Sequence, residues 1–234
     1  MKKKLYLIPT PLDEEGILEP QALSLLIEAC LHPEQNIFAV EEHKVARRRW
    51  IRWGLPREMI EHFVEFNEHT QKILAPSLVQ EIEKGKNVFL LSDGGLPAFC
   101  DPGQDLVTLC HQRKINITCS SFPNSTMLAL VLSGFSHQQF FFAGFPPVES
   151  EERLKYLQKI LKYSETIILM DTPYRLKKLL EELKILNLKR FLFVGMDLNL
   201  PTQEYFYGNV NEALLNITQF KREFVLVISS LKAL

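Results

Sequence analysis

The chain lacks the patterns that mark the common metal and nucleotide enzymes. Its 234 residues hold four cysteines, Cys30, Cys100, Cys110 and Cys119, and no Cys-x-x-Cys pair. No histidine stands at ligand spacing beside them, so no metal site is expected. The thiols read as reduced and mostly buried, which suits a reducing compartment. No run of about 18 apolar residues occurs, so no membrane span is expected. The opening Met1-Lys2-Lys3-Lys4 leads into an apolar run, 5–8, that is too short for a signal-peptide core and stops at Pro9-Thr10-Pro11. A cytoplasmic protein is expected. Neither charge is in excess: 27 basic and 28 acidic residues leave a net charge of −1. Any anion-binding surface must therefore be local.

Three catalytic or nucleotide signatures are also missing. Without Gly-x-x-x-x-Gly-Lys-[Ser/Thr] there is no phosphate loop for an NTPase, and without Gly-x-Gly-x-x-Gly after the first strand there is no ordinary dinucleotide site. Without Gly-x-Ser-x-Gly there is no hydrolase elbow.

What is present is an alternation of short apolar runs with longer amphipathic ones, the pattern of βαβ units. Strands are expected at 5–8, 36–40, 87–91, 115–120 and 140–145. Helices are expected at 21–30, 44–53, 58–66, 77–84, 104–112 and 124–132. The diproline Pro146-Pro147, followed by acidic 149–152, reads as a domain boundary. Beyond it come helices at 154–162, 174–186 and 211–218 and strands at 166–170, 190–194, 204–208 and 224–228. The reading is two α/β domains, 1–145 and 148–234.

Ligands of open α/β sheets bind beyond the carboxyl ends of the strands. The loop 92–103, Ser92-Asp93-Gly94-Gly95-Leu96-Pro97 through Asp101-Pro102-Gly103, follows such a strand. Its glycines allow positive φ or close approach of a ligand to backbone, and Asp101 could cap the next helix. Two readings stay open on these residues alone, a ligand loop or an ordinary capped βα turn. Glu41, Glu42 and His43 follow the second strand and are either base candidates or solvated charges. The segment 44–53 carries Lys44, Arg47, Arg48, Arg49 and Arg52 with Trp50 and Trp53 between them. It is either an RNA edge or a solvated helix face over buried tryptophans.

The motifs together resemble the tetrapyrrole-methylase-like superfamily, and within it the branch of small-subunit ribosomal RNA cytidine 2′-O-methyltransferases. The resemblance rests on Leu7-Ile8-Pro9-Thr10-Pro11, Ala39-Val40-Glu41-Glu42, Ser92–Pro97 with Asp101-Pro102-Gly103, Phe122-Pro123-Asn124-Ser125, Ser133-Gly134-Phe135, Gly144-Phe145-Pro146-Pro147, Asp171-Thr172-Pro173-Tyr174-Arg175 and Glu223-Phe224-Val225-Leu226-Val227. It implies a parallel-rich N-terminal sheet, a mixed C-terminal sheet, and S-adenosylmethionine held in a cleft between the two domains, commonly in a homodimer. It implies cofactor contacts from Pro9, from Ser92, Asp93, Gly94, Gly95 and Leu96, and from Pro123, Ser125 and Thr126. Met170, Asp171 and Met196 would add to them from the second half. Glu41, Glu42 and Arg175 are the candidates for catalytic work.

The chain departs from that branch's pattern. The Glu-Asp-Thr-Arg of the branch is Glu41-Glu42-His43-Lys44 here, and its Glu-Gly-Phe is Ala143-Gly144-Phe145. Its Arg-Glu-Leu-Thr-Lys is Met196-Asp197-Leu198-Asn199-Leu200, and the glycine before the final Glu is Arg222. The leading expectation is an S-adenosylmethionine-dependent methyltransferase acting on ribosomal RNA. Methylation of a tetrapyrrole or other small molecule, and cofactor binding without catalysis, are the alternatives.

Overall fold

Strands that are apolar along their whole length need cover on both faces. In the computed structural model, which describes residues 4–122 and 124–231, helices supply that cover in each of two compact units, Met1–Phe122 and Pro123–Leu234.

The first unit runs β1 (Lys4–Ile8), α1 (Pro20–Cys30), β2 (Asn36–Val40), α2 (His43–Arg52), β3 (Val64–Glu65), α3 (Gln71–Glu83), β4 (Asn87–Leu91), α4 (Gln104–Gln112) and β5 (Asn116–Cys119). The strands pair in the order β3-β2-β4-β1-β5, all parallel. Successive side chains of β4 serve opposite faces. Phe89 and Leu91 join Ala22 and Leu26 of α1 and Trp50 of α2. Val88 and Leu90 join Leu78 and Val79 of α3 and Leu106 and Cys110 of α4.

The second unit runs α5 (Ser125–Ser133), β6 (Phe140–Gly144), α6 (Ser150–Ile160), β7 (Thr166–Asp171), α7 (Leu176–Ile185), β8 (Leu192–Met196), β9 (Glu204–Gly208), α8 (Val210–Asn216) and β10 (Phe224–Ile228). Its sheet order is β6-β7-β10-β8-β9. Only β6 with β7 is parallel among these pairs, so the sheet is mixed. Phe224, Leu226 and Ile228 of β10 face the core shared with α6, α7 and α8. Val225 and Val227 face Ala129 and Leu130 of α5.

Three local expectations differ from the structure. The diproline does not part the units, because β6 pairs with β7 and α5 packs on the same sheet. Residues 124–145 therefore go with the second unit, and the expected break at 145/148 falls inside it. The expected helix 58–66 is a short 3-10 segment, Arg57–His62, followed by β3. Backbone pairing of Val64 and Glu65 with Ala39 and Val40 outweighs helical spacing there. The helix expected at 77–84 begins at Gln71 and contains Pro76. Asn67 anchors its entry by accepting from the His69 and Thr70 amides, so the proline is carried inside the helix instead of opening it.

The diproline segment is held by a buried ion pair. Arg153 of α6 donates through Nε and Nη2 to both Glu182 oxygens of α7 at 2.7 Å, and through Nη1 to the Val148 carbonyl at 2.9 Å. The two side chains are 1% and 6% exposed. Arg153→Ala should cost about 3–5 kcal/mol, since it strands a buried carboxylate, and the apolar pair R153M/E182L should recover most of that. Urea denaturation reads both. A single-variant loss under about 1 kcal/mol, the range of a surface pair, would contradict a load on this contact.

Candidate functional site

Loops after β1, β2 and β4 emerge side by side at the carboxyl edge of the parallel sheet and are bonded to one another. Thr10 and Gly95 exchange both backbone bonds, at 2.9 and 3.0 Å. The Thr10 hydroxyl donates to the Ser92 carbonyl at 3.0 Å, and the Ser92 hydroxyl donates to the Gly95 carbonyl at 2.8 Å. Gly95 has φ +109°, where a side chain is strained. The loop after β2 joins through Asp93, whose amide donates to Glu41 Oε2 at 3.0 Å. Its Oδ1 in turn accepts from the Glu42 amide at 3.2 Å.

Arg49 lies beneath this assembly. It is 4% exposed and donates through Nη1 to the Pro11 carbonyl at 2.9 Å and to the Asp13 carbonyl at 3.3 Å. Burial lowers its basicity, against the pull of Glu14, Asp93 and Asp13. Arg49 is therefore not an RNA contact, contrary to the expectation for the segment 44–53. Its position on the inner face of α2 directs it under the β1 loop. Arg48 and Arg52 are exposed but occupied, on Glu14 and Glu15, each at 2.5 Å. The tryptophans are structural as well. Trp50 donates to the Pro56 carbonyl and Trp53 to the Gly16 carbonyl. Lys44 and Arg47 keep exposed side chains.

A cavity of about 610 Å³ opens beside the joined loops, and Glu41, Glu42, Glu68, Asp93, Asp101 and Asp105 contribute to its lining. Burial first, and like charge second, favour protonation of Asp93 and Asp101. Burial pushes the Asp101 carboxyl up to about 7, with Glu41 and Asp93 adding to it. Asp93 is raised to about 6, by burial first and by Glu41 and Glu42, against the Glu42 amide and Arg49. Asp101 was expected only as a cap of α4. That cap is Gly103, at φ +137° and without a side-chain bond. A Cβ there would lie 2.8 Å from Leu90 Cδ2, so the turn is too tight for another residue and Asp101 is left to the cavity. His43, a base candidate, is used locally: its Nε2 lies 3.2 Å from the Ile60 carbonyl.

The edge fits a cationic ligand. Asp93 and Glu41 are carboxylates on the joined loops, and the Ser120 hydroxyl, buried at 7% exposure just after β5, has no hydrogen-bond partner. Ser120 was missed because its sequence neighbours carry no motif. Pro9 is buried and Gly94 and Leu96 half-buried in the same loops.

In the second unit, Pro123 lies outside the described residues. Asn124 caps α5, accepting from the Thr126 amide at 2.9 Å and also from the Thr126 hydroxyl, so that hydroxyl is engaged in the cap. Ser125 is half-buried beside it. Met170 packs toward the α5 face, and Met196, 3% exposed, is a core side chain. Asp171 and Met196 both sit opposite Phe224 of β10. Arg175 holds Asp171 Oδ1 at 2.5 Å. Its Nε and Nη1 and Asp171 Oδ2 are buried without partners. Burial raises the Asp171 carboxyl in spite of that pairing.

Two of the departures from the family pattern answer each other. Arg222 donates to Asp197 at 2.9 Å, and also to Glu204 and to the Thr202 carbonyl. An arginine in the glycine's place is matched by an aspartate one strand away. Among the described residues no three His, Cys, Asp or Glu side chains converge as a metal site, and no helix is long and apolar enough to cross a membrane.

No protein-family profile matches the chain. It is 27% identical over 234 residues to the ribosomal RNA small subunit methyltransferase I of Synechocystis sp., covering 96% of this chain and 78% of that protein. The protein of the same name from Bacillus subtilis is 28% identical, over 96% of this chain and 74% of its own. Among solved structures, diphthine synthase superposes with a TM-score of 0.67 at 10% identity, over 97% of this chain and 90% of that one. Cobalt precorrin-4 methyltransferase gives 0.57 at 14%, over 97% and 94%. Uroporphyrin-III C-methyltransferase from Thermus thermophilus, complexed with S-adenosylhomocysteine, gives 0.55 at 15%, over 97% and 98%.

The raised carboxyls set a pH dependence. The folded state binds protons that the unfolded chain has released, so stability declines as pH rises from the unfolded value of 3.8 to about 7. Asp101→Asn should flatten that decline and be the more stable protein at about pH 8. Thermal melts across pH read it, and an unchanged slope in the variant would contradict the protonated Asp101.

Proposed function

We propose that this chain, a divergent relative of the ribosomal RNA small subunit methyltransferase I proteins with the tetrapyrrole-methylase-like fold, transfers a methyl group from S-adenosylmethionine to ribosomal RNA. The observation that carries the reading is the joined set of loops at the carboxyl edge of the parallel sheet. These are among the segments that carry the resemblance read in the sequence, and they are bonded to one another beside a carboxylate-lined cavity. Similarity over 96% of this chain to two named ribosomal RNA methyltransferases supports it.

On this reading Pro9 and Ser92–Leu96 hold the cofactor in the first unit, with Ser120 as a further polar contact. Asp93 and Glu41 oppose its positive charge. Bound, S-adenosylmethionine supplies a methyl group on a sulfonium. The joined loops' own task is orientation, since an in-line displacement depends on near-attack geometry. A hydroxyl acceptor must also give up a proton. Asp101 suits that role: it lines the cavity, and a carboxylate with a pKa near neutrality is an effective base. Glu41 is already spent on the Asp93 amide, and Glu42 reaches the same loop through its backbone, with its carboxylate exposed. The protein is proposed to work in the cytoplasm, as a homodimer.

Labelled S-adenosylmethionine incubated with small ribosomal subunits tests the reading. Methyl label should enter the RNA, and Asp101→Asn should lower turnover while leaving cofactor binding intact. Cofactor at a hundredfold its Kd should stabilise the protein by about 2.7 kcal/mol. No thermal shift at saturating S-adenosylmethionine would overturn the cofactor assignment. A shift without label in any RNA would overturn the acceptor.

A further inference from the structure

The cavity at the joined loops is lined by carboxylates, and like charge repels a phosphodiester backbone. A protein acting on RNA needs cations elsewhere. On α2 most of that charge is occupied: Arg49 is buried, and Arg48 and Arg52 face Glu14 and Glu15.

The second unit carries a surface of the opposite kind. Tyr174, just before α7, is 74% exposed, and Lys221 Nζ lies 4.8 Å from its ring centre. Lys177, in the first turn of α7, lies 6.0 Å from the Phe220 ring. Both lysines are exposed. The ion pairs of this unit among the described residues use Arg153, Arg175 and Arg222, and neither lysine. No acidic residue occupies the first turn of α7, whose amino end adds positive potential. Arg175 stands between Tyr174 and Lys177 in the chain, with Nε and Nη1 unpartnered.

We infer that Tyr174, Lys177 and Lys221 form the surface that grips single-stranded substrate RNA. The two ammonium groups meet successive phosphates, and the tyrosine ring offers a face to an unpaired base. Cations interleaved with an exposed aromatic are the combination that single-stranded RNA recognises. Lys221 steadies the ring by cation–π attraction while most of the ring stays open. The inference rests on the proposed RNA acceptor and names where that RNA is held.

The test uses the full chain, a fluorescent single-stranded ribosomal RNA fragment, and small ribosomal subunits. K177Q/K221Q should lower the slope of log affinity against log salt by about 1.4, two phosphates at roughly 0.7 each. Tyr174→Ala should weaken binding at least about fivefold. K44Q/R47Q, which removes the exposed charge of α2 that no ion pair among the described residues uses, should change neither, and thermal shifts with S-adenosylmethionine should match wild type in every variant. Wild-type binding that these substitutions leave unchanged overturns the inference and spares the proposed function. Loss of the slope in K44Q/R47Q instead overturns it in favour of α2. Loss of subunit binding with RNA-fragment binding intact overturns it in favour of a ribosomal protein contact. A wild type that binds neither probe overturns the RNA acceptor itself.

Discussion

The double backbone exchange between Thr10 and Gly95 is the constraint on which the candidate site depends. Two parallel strands, β1 and β4, deliver their loops to the same edge, but adjacency alone would leave both loops free to move. The exchange locks them in register. The Thr10 and Ser92 hydroxyls, both buried, close the remaining polar groups of the turn. Gly95 makes the geometry possible, because its φ suits a residue without Cβ. Asp93 then extends the lock to the β2 loop by trading bonds with Glu41 and Glu42.

That lock explains the acidity of the site. Drawing three loops together buries Asp93 and Asp101, and that burial, with the charge of Glu41 nearby, raises both carboxyls. In a purely structural junction such crowding costs stability and returns nothing. In a site for a cationic cofactor and a hydroxyl acceptor it supplies a counter-charge and a base. Arg49 offsets part of the cost from below, and for that reason it is unavailable to RNA.

The sequence made much of this legible, for identifiable reasons. β2, β4 and β10 were readable to the residue, because largely apolar runs bounded by turn residues have little freedom, and β9 was readable by its Tyr205-Phe206-Tyr207 run. The loop 92–103 was readable as special by its glycines and prolines. The segment 57–66 was not: its strand exists only because β2 offers an unpaired edge, a tertiary fact. The fate of the arginines was hidden as well, since a helix's charge count does not say which face points inward. The diproline was a true turn signal but a poor domain signal, because pairing of β6 with β7 decides membership. Asp101 was misread as a cap because Asp-Pro-Gly before a helix suggests one, and the need for glycine at 103 lies in packing against Leu90.

The central claim is that the locked loops of the first unit hold the cofactor. A crystal structure with S-adenosylhomocysteine tests it most directly. The account predicts the ligand against the backbone of residues 92–96 and the Pro9 loop, with the Thr10–Gly95 bonds intact. A ligand seated away from these loops, or one that opens the Thr10–Gly95 pair to bind, would contradict it.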